Sequence, residues 1–150
     1  MLKQIELNPE KFPNHIAFII DGNGRWANKR GLPRSYGHKA GIKACKIVIE
    51  ECLKLGIKYV SLYGFSTENW NRPKDEIETL FNLFRQFIKT DLKKVLKEDV
   101  KFIVSGDYTA FPSDLVEVIE DCLEKTKNNK KMVLNLCINY GGRPEIVRAI

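Results

Sequence analysis

Apolar residues gather in four short runs along the chain: HIAFII at 15–20, IKYVSLYGF at 57–65, VKFIVSG at 100–106 and KMVLNLCIN at 131–139. Runs of this length, rich in β-branched and aromatic residues and closed by glycine or polar residues, predict strands. The first, ending at Asp21 and Gly22, reads as a fully buried strand. Helical periodicity fills the intervals, and buried strands alternating with helices predict an α/β fold with an open, mostly parallel sheet flanked by helices.

The first helix is predicted over 38–56, with Ala44, Ile47, Val48 and Cys52 at helical spacing and Gly56 as its C-terminal glycine. Over 75–99, Ile77, Leu80, Phe81, Phe84, Phe87, Ile88, Leu92, Val95 and Leu96 form a wide apolar stripe. That spacing predicts one long helix of roughly 35 Å, with Asp75 and Glu78 placed as a capping box after Pro73. A third helix is expected over 113–129 with Ser113 as N-cap, and a fourth from Pro144.

Composition narrows the class. Of 150 residues, 43% are apolar and 29% charged, the balance of a soluble domain with room for a sizeable core. No run approaches a membrane span, and MLKQIELNPEKFPNH lacks the apolar core of a secretory signal, which favours the cytoplasm. Cys45, Cys52, Cys122 and Cys137 lie in apolar segments without C-x-x-C spacing, so reduced, buried thiols are expected rather than zinc ligands or disulfides. The net charge of +6 favours an anionic partner. Without a basic stripe interleaved with aromatics, nucleic acid is not the expected one.

In an open parallel sheet, ligands bind outside the carboxyl ends of the strands. Those ends are Asp21-Gly22-Asn23-Gly24-Arg25-Trp26, the stretch from Phe65 to Pro73, Ser105-Gly106-Asp107, and Asn139 to Arg143, and all four are candidates for one shared anion site. Gly22 and Gly24 let backbone N–H groups approach an oxyanion. Arg25, Arg30, Arg34 and His38 can add charge-assisted bonds, enough for two phosphates. Arg30 and Lys29 alone read more often as solvated surface, and His38, opening the first helix, equally as ligand or structural residue. His15, before its strand, reads as structural.

The spacing Gly22-x-Gly24-x-x-Ala27 also satisfies the dinucleotide fingerprint G-x-G-x-x-G/A. Against that reading, Asp21 directly precedes the first glycine and would repel a pyrophosphate, and no acid closes a second strand about 20 residues on. A divalent cation turns the repulsion into attraction, since Mg²⁺ is held by one or two carboxylates together with substrate phosphates and water. Asp21 then reads as a metal anchor beside a diphosphate clamp, with a helix cap or turn former as the plain alternative. Phe65 and Trp70 beside Ser66, Glu68 and Asn69 suit a ligand with an apolar and a charged part. The Phe-rich stripe is core, or one wall of a long apolar pocket.

The stretches HIAFIIDGNGRWANKRGLPRSYGHKAG, LYGFSTENWNRP and LNLCINYGGRPEI, in this order, resemble the cis-prenyltransferases of the undecaprenyl diphosphate synthase family over nearly the whole chain. The resemblance implies an enzyme that condenses isopentenyl diphosphate repeatedly onto an allylic diphosphate, usually farnesyl diphosphate, with Mg²⁺, releasing diphosphate and making Z double bonds. Bacterial members make the lipid carrier for cell-wall polymers. It implies that Asp21 is the metal and diphosphate residue, that Gly22, Gly24, Arg25, Trp26, Arg34 and His38 hold the allylic diphosphate, and that Asn23 assists at the reacting centre. Ser66, Glu68, Asn69, Trp70 and Arg72 would line the condensation site, with Asn69 catalytic, and the Phe-rich helix one wall of the product tunnel. A homodimer in the cytoplasm, touching the membrane only to release its lipid product, is implied as well.

Trans-type prenyltransferases instead bind metal through D-D-x-x-D motifs; here Glu120-Asp121-Cys122-Leu123-Glu124 reads as the polar face of an ordinary helix. The family's later part, with an R-x-S cluster for isopentenyl diphosphate and a further acidic metal contact, has no counterpart before residue 150. Residues 1–150 are therefore expected to form the N-terminal two thirds of a single domain with the C-terminal part missing, weakly active or inactive alone. Two alternatives stay open: a non-catalytic subunit of the same fold, which should lack the aspartate and basic motif present here, and a dinucleotide-binding α/β domain.

Overall fold

The computed structural model describes residues 8–150; the first seven positions of the N-terminal segment lie outside the described residues. In chain order the elements are β1 (His15–Ile19), α1 (Asn23–Asn28), α2 (Arg34–Lys54), β2 (Tyr59–Ser66), α3 (Lys74–Gln86), a π-helical turn (Phe87–Asp91), α4 (Lys93–Leu96), β3 (Val100–Ser105), α5 (Ser113–Thr126), β4 (Met132–Tyr140) and α6 (Gly142–Ala149). The four strands form one sheet in the order β1-β2-β4-β3, and every pairing is parallel. Each expected strand is present, and the α/β class follows.

β1 departs from expectation. It is an edge strand whose residues alternate between exposed and half-buried, and Ile19 is 81% exposed. A short apolar run reads the same at an edge as in the middle of a parallel sheet, because the run says nothing about the number of neighbours. The central strands β2 and β4 carry the core instead: Val60 pairs with Leu134 and Leu62 with Leu136, and they join Phe102, Ile49 of α2, Phe81 and Phe84 of α3, and Leu115 and Ile119 of α5 in one buried cluster.

The alternate residues point to the opposite face. There a polar row crosses all four strands: His15 Nε2 lies 2.8 Å from Ser61 Oγ, Asn135 Nδ2 donates to Ser61 Oγ at 3.3 Å, and Ser105 Oγ donates to Asn135 Oδ1 at 3.0 Å. His15 therefore has the structural place expected of it. The far edge is covered where Thr126 Oγ1 of α5 accepts from the Phe102 N–H at 3.0 Å, satisfying a donor that an edge strand leaves free.

The helices differ from the sequence reading in their ends and faces. α2 starts at Arg34, four residues early, and buries Gly37, Gly41, Cys45, Ile49 and Cys52. Ala44 is exposed, and so is Ile47, at 61%; the buried ridge runs through the small residues because α1 lies directly on it. α3 begins after Pro73, with the Ile77 N–H donating to Pro73 O at 3.1 Å. The Asp75 side chain caps nothing, since Pro73 occupies the cap position and Asp75 falls inside the first turn. Likewise Pro112, not Ser113, is the N-cap of α5. The single long helix over 75–99 is broken by the π turn, where the Leu92 N–H reaches Phe87 O at 2.9 Å. The four cysteines are free and buried, as expected. Asp121 and Glu124 pair with Lys125 and Lys127 on the outside of α5, an ordinary polar face.

Candidate active site

A cleft of about 370 Å³ opens at the carboxyl ends of β1 and β2, between α2 and α3. Asp21 to Arg25, Arg34, His38, Ser66, Glu68, Asn69 and Arg72 all line it, so most of the expected site residues converge. Deeper in, the walls turn apolar, with Ile42 of α2 and Leu80, Leu83 and Phe84 of α3.

Backbone geometry makes the mouth. Gly22 adopts φ 80°, left-handed, turning the chain from β1 into α1 and leaving the first N–H groups of α1 without helical partners. Gly24 is buried, and a Cβ on it would stand 2.8 Å from the Arg34 Cζ; its missing side chain lets the guanidinium lie against α1. Gly37 brings α2 against α1 still more closely, since a Cβ there would meet Asn23 O at 2.0 Å. The Asn23 carboxamide itself packs over Gly41. On the second loop, Asn69 Oδ1 accepts from the Ser66 N–H at 3.2 Å, so these two residues cap their own turn. The β2 bulge around Gly64 turns Phe65 into the core.

Arg34, His38 and Arg72 meet on one carboxylate that no sequence motif marks out, Glu76. Arg34 donates to it twice, Nη2 to Oε1 at 3.0 Å and Nε to Oε2 at 3.2 Å. His38 Nε2 and Arg72 Nη1 each lie 3.2 Å from Oε1. Burial acts to raise the Glu76 carboxyl, but hydrogen bonds from Arg34 and His38 and the nearby charges of Arg34 and Arg72 outweigh it and hold the group below the ordinary carboxylate value. Burial pushes His38 below its usual 6.5, with Glu76 opposing and Arg72 and Arg34 reinforcing. At neutral pH the imidazole is neutral, while both arginines are charged.

Some expected members lie elsewhere. Trp26 carries Arg30 over its ring, 4.3 Å from the centroid, and does not line the cleft. Trp70 is packed against Phe65, Phe81 and Phe111 with centroids 5.4–5.8 Å apart. Its indole N–H donates to Asn139 Oδ1 at 2.8 Å. Trp70 therefore holds the second loop to the end of β4. Ser105-Gly106-Asp107 and Gly141-Gly142-Arg143 lie outside the cleft, and from β4 only Cys137 and Tyr140 reach it. β3 is at the far edge with β4 between it and β2, and its end does not line the cleft.

Asp21 stands at the mouth with its side chain 64% exposed. It accepts from the Gly22 N–H and from Arg25 Nη2, the latter at 3.0 Å. Among the described residues no three His, Cys, Asp or Glu side chains cluster to hold a metal ion. One open carboxylate beside a cationic pocket fits an ion that arrives with phosphate oxygens and water, not one caged by protein.

Fold and cleft together define an α/β protein that can take an anionic head group at the strand ends and an apolar tail between two helices. The family described as "Putative undecaprenyl diphosphate synthase" matches residues 19–150. An isoprenyl transferase of Clostridium perfringens is 51% identical over 99% of this chain and 58% of its own length. A ditrans,polycis-undecaprenyl-diphosphate synthase of Pasteurella multocida, (2E,6E)-farnesyl-diphosphate specific, is 44% identical over 97% of this chain and 60% of its own. Among solved structures, lavandulyl diphosphate synthase from Lavandula x intermedia, in complex with dimethylallyl diphosphate, superposes with a TM-score of 0.88 at 35% identity, covering 91% of this chain and 59% of that one. The chain belongs to the undecaprenyl diphosphate synthase family and spans a little under two thirds of the length of these relatives.

Proposed function

We propose that the chain carries the allylic-diphosphate half of a cis-prenyltransferase, which elongates an allylic diphosphate, farnesyl diphosphate in the first instance, with isopentenyl diphosphate to a long polyprenyl diphosphate such as undecaprenyl diphosphate. The observation that carries the reading is the division of one cleft into a cationic mouth, with Arg25, Arg34 and Arg72, and an apolar interior, with Ile42, Leu80, Leu83 and Phe84. A prenyl diphosphate has the same division. The activities for which the relatives are named support it.

In the proposed reaction the allylic C–O bond ionises and negative charge grows on the departing diphosphate. Arg34 is held in place before the substrate arrives by packing against Gly24 of α1, and Arg72 lines the same cleft from the second loop, so both can meet that charge. Mg²⁺, bound with the diphosphate, would supply electrophilic assistance to the leaving group. Asp21 is the residue that would hold it, exchanging its Arg25 partner for the ion. Leu80, Leu83 and Phe84 keep water from the hydrocarbon, at roughly 0.8 kcal/mol per buried CH₂. Ser66, Glu68 and Asn69 line the β2 side of the cleft and are the residues proposed to border the condensation site. No described helix is long and apolar enough to cross a membrane; the proposed setting is a cytoplasmic homodimer of the full-length protein, touching the membrane as it releases its product.

Incorporation of labelled isopentenyl diphosphate tests the reading. The 150-residue chain should bind farnesyl diphosphate yet elongate it weakly or not at all, and completed with a relative's C-terminal part it should make long chains with Mg²⁺. In that completed protein Asp21→Ala should lower turnover by orders of magnitude with the fold intact. Failure to bind an allylic diphosphate would overturn the functional reading, and a loss of only a few-fold at Asp21 would overturn the metal-anchor role.

A further inference from the structure

Glu76 is unusual in its company. Its side chain is 14% exposed, and its Oε1 alone lies within 3.0–3.2 Å of donors from Arg34, His38 and Arg72. Arg34 presents Nε and Nη2 to the two carboxylate oxygens, the paired-donor edge with which a guanidinium grips either a carboxylate or a phosphate. The same guanidinium lies so near Gly24 that a Cβ there would stand 2.8 Å from its Cζ. The cradle assigned above to a diphosphate is thus already filled by an anion tethered to the first turn of α3. With His38 neutral, two arginine charges face one carboxylate charge, leaving about one net positive charge for a group carrying about three negative ones.

We propose that Glu76 is an internal competitor for the substrate's diphosphate: it occupies the cradle when no diphosphate is bound and is displaced from Arg34 when one arrives, so that it sets how tightly the head group is held. The proposal rests on the reading of the cleft as a prenyl diphosphate site. A tethered anion acts at high effective concentration, and every bond it makes to Arg34 must be exchanged for a bond to phosphate. Its removal should therefore tighten binding, whereas a Glu76 that only aligns its partners would weaken binding when removed.

The test is calorimetric titration of the 150-residue chain with inorganic pyrophosphate, with Mg²⁺ and again in EDTA. Glu76→Gln keeps the shape and removes the charge, and should bind pyrophosphate about three- to tenfold more tightly than the parent, the scale of one net hydrogen bond regained after exchange. Adding Arg34→Ala should abolish the gain. Glu76→Asp, too short to meet all three partners, should tighten binding less, and it decides the matter should Glu76→Gln not fold. Equal or weaker binding by the charge-removed variant, with the parent still binding, overturns the competitor role and leaves the functional reading standing. Absence of binding by parent and variants alike overturns both.

Discussion

His38 is the most sharply placed titrating group of the cleft. Burial holds its imidazole below 6.5 in the folded chain, so as the pH falls the unfolded chain takes up this proton first. The stability that neutral His38 contributes is fully present above 6.5 and is lost as the pH drops through 6.5 toward the folded value, where the loss levels off. Glu76, held below the ordinary carboxylate value, stays ionised across that window and cannot account for the change. Urea unfolding from about pH 8 to about pH 5 should therefore show the parent losing more stability than His38→Gln, and NMR titration of the imidazole should give a midpoint below 6.5. A midpoint above that value would mean that Glu76 outweighs burial. Asp21, Arg34 and His38 were legible in the sequence because they sit in one motif after a strand. Glu76 was not, because its partners Arg34 and His38 lie 42 and 38 residues away and only the packing of α3 on α2 makes it more than a helix-surface glutamate.

At the scale of elements, the site depends on how closely α1 and α2 approach, and two glycines divide that job. At Gly37 a Cβ would overlap the backbone oxygen of Asn23 at 2.0 Å, which can yield only if α1 moves as a unit. At Gly24 a Cβ would meet the guanidinium end of Arg34 at 2.8 Å, which can swing aside. Gly37→Ala gains up to about 1 kcal/mol of helix propensity, yet should lose about 1–3 kcal/mol net through overpacking, seen as a lower urea midpoint. Gly24→Ala should leave the midpoint nearly unchanged while weakening pyrophosphate binding by moving Arg34. Equal effects of the two on stability would refute this division. The apolar stripe from Ile77 to Leu96 was legible as a buried face, and all but Leu96 are buried. The break within it was not: an α-helix would turn Phe87 and Leu92, five residues apart, about 140° from each other. The π turn instead overlays them, and they are 2% and 0% exposed. Periodicity registers that both are apolar without registering how the backbone brings them together.

Across the whole molecule, the helices pack a continuous core on one side of the sheet, and the other side is tied by the row from His15 through Ser61 and Asn135 to Ser105. The sheet's existence was readable from four apolar runs, but strand order, and with it the exclusion of the β3 end from the cleft, was not, because order depends on which crossover skips a neighbour. The same order makes Asn135 the middle of the row, with the edge strands β1 and β3 held through it or one residue beyond it. Asn135 is half-buried and makes one bond toward each side, whereas Ser61 is 4% exposed and keeps His15 if Asn135 is removed. Asn135→Ala should then cost roughly 1–2 kcal/mol, the scale of two partly exposed hydrogen bonds and no stranded buried donor. Because Ser105 loses its side-chain partner while Ser61 does not, the loosening should be lopsided, with hydrogen exchange rising in β3 more than in β1. β1 carries Asp21 at its end and β3 carries nothing that reaches the cleft, so the variant should bind pyrophosphate as the parent does; a binding loss matching the stability loss would mean that the far edge of the sheet is coupled to the site after all.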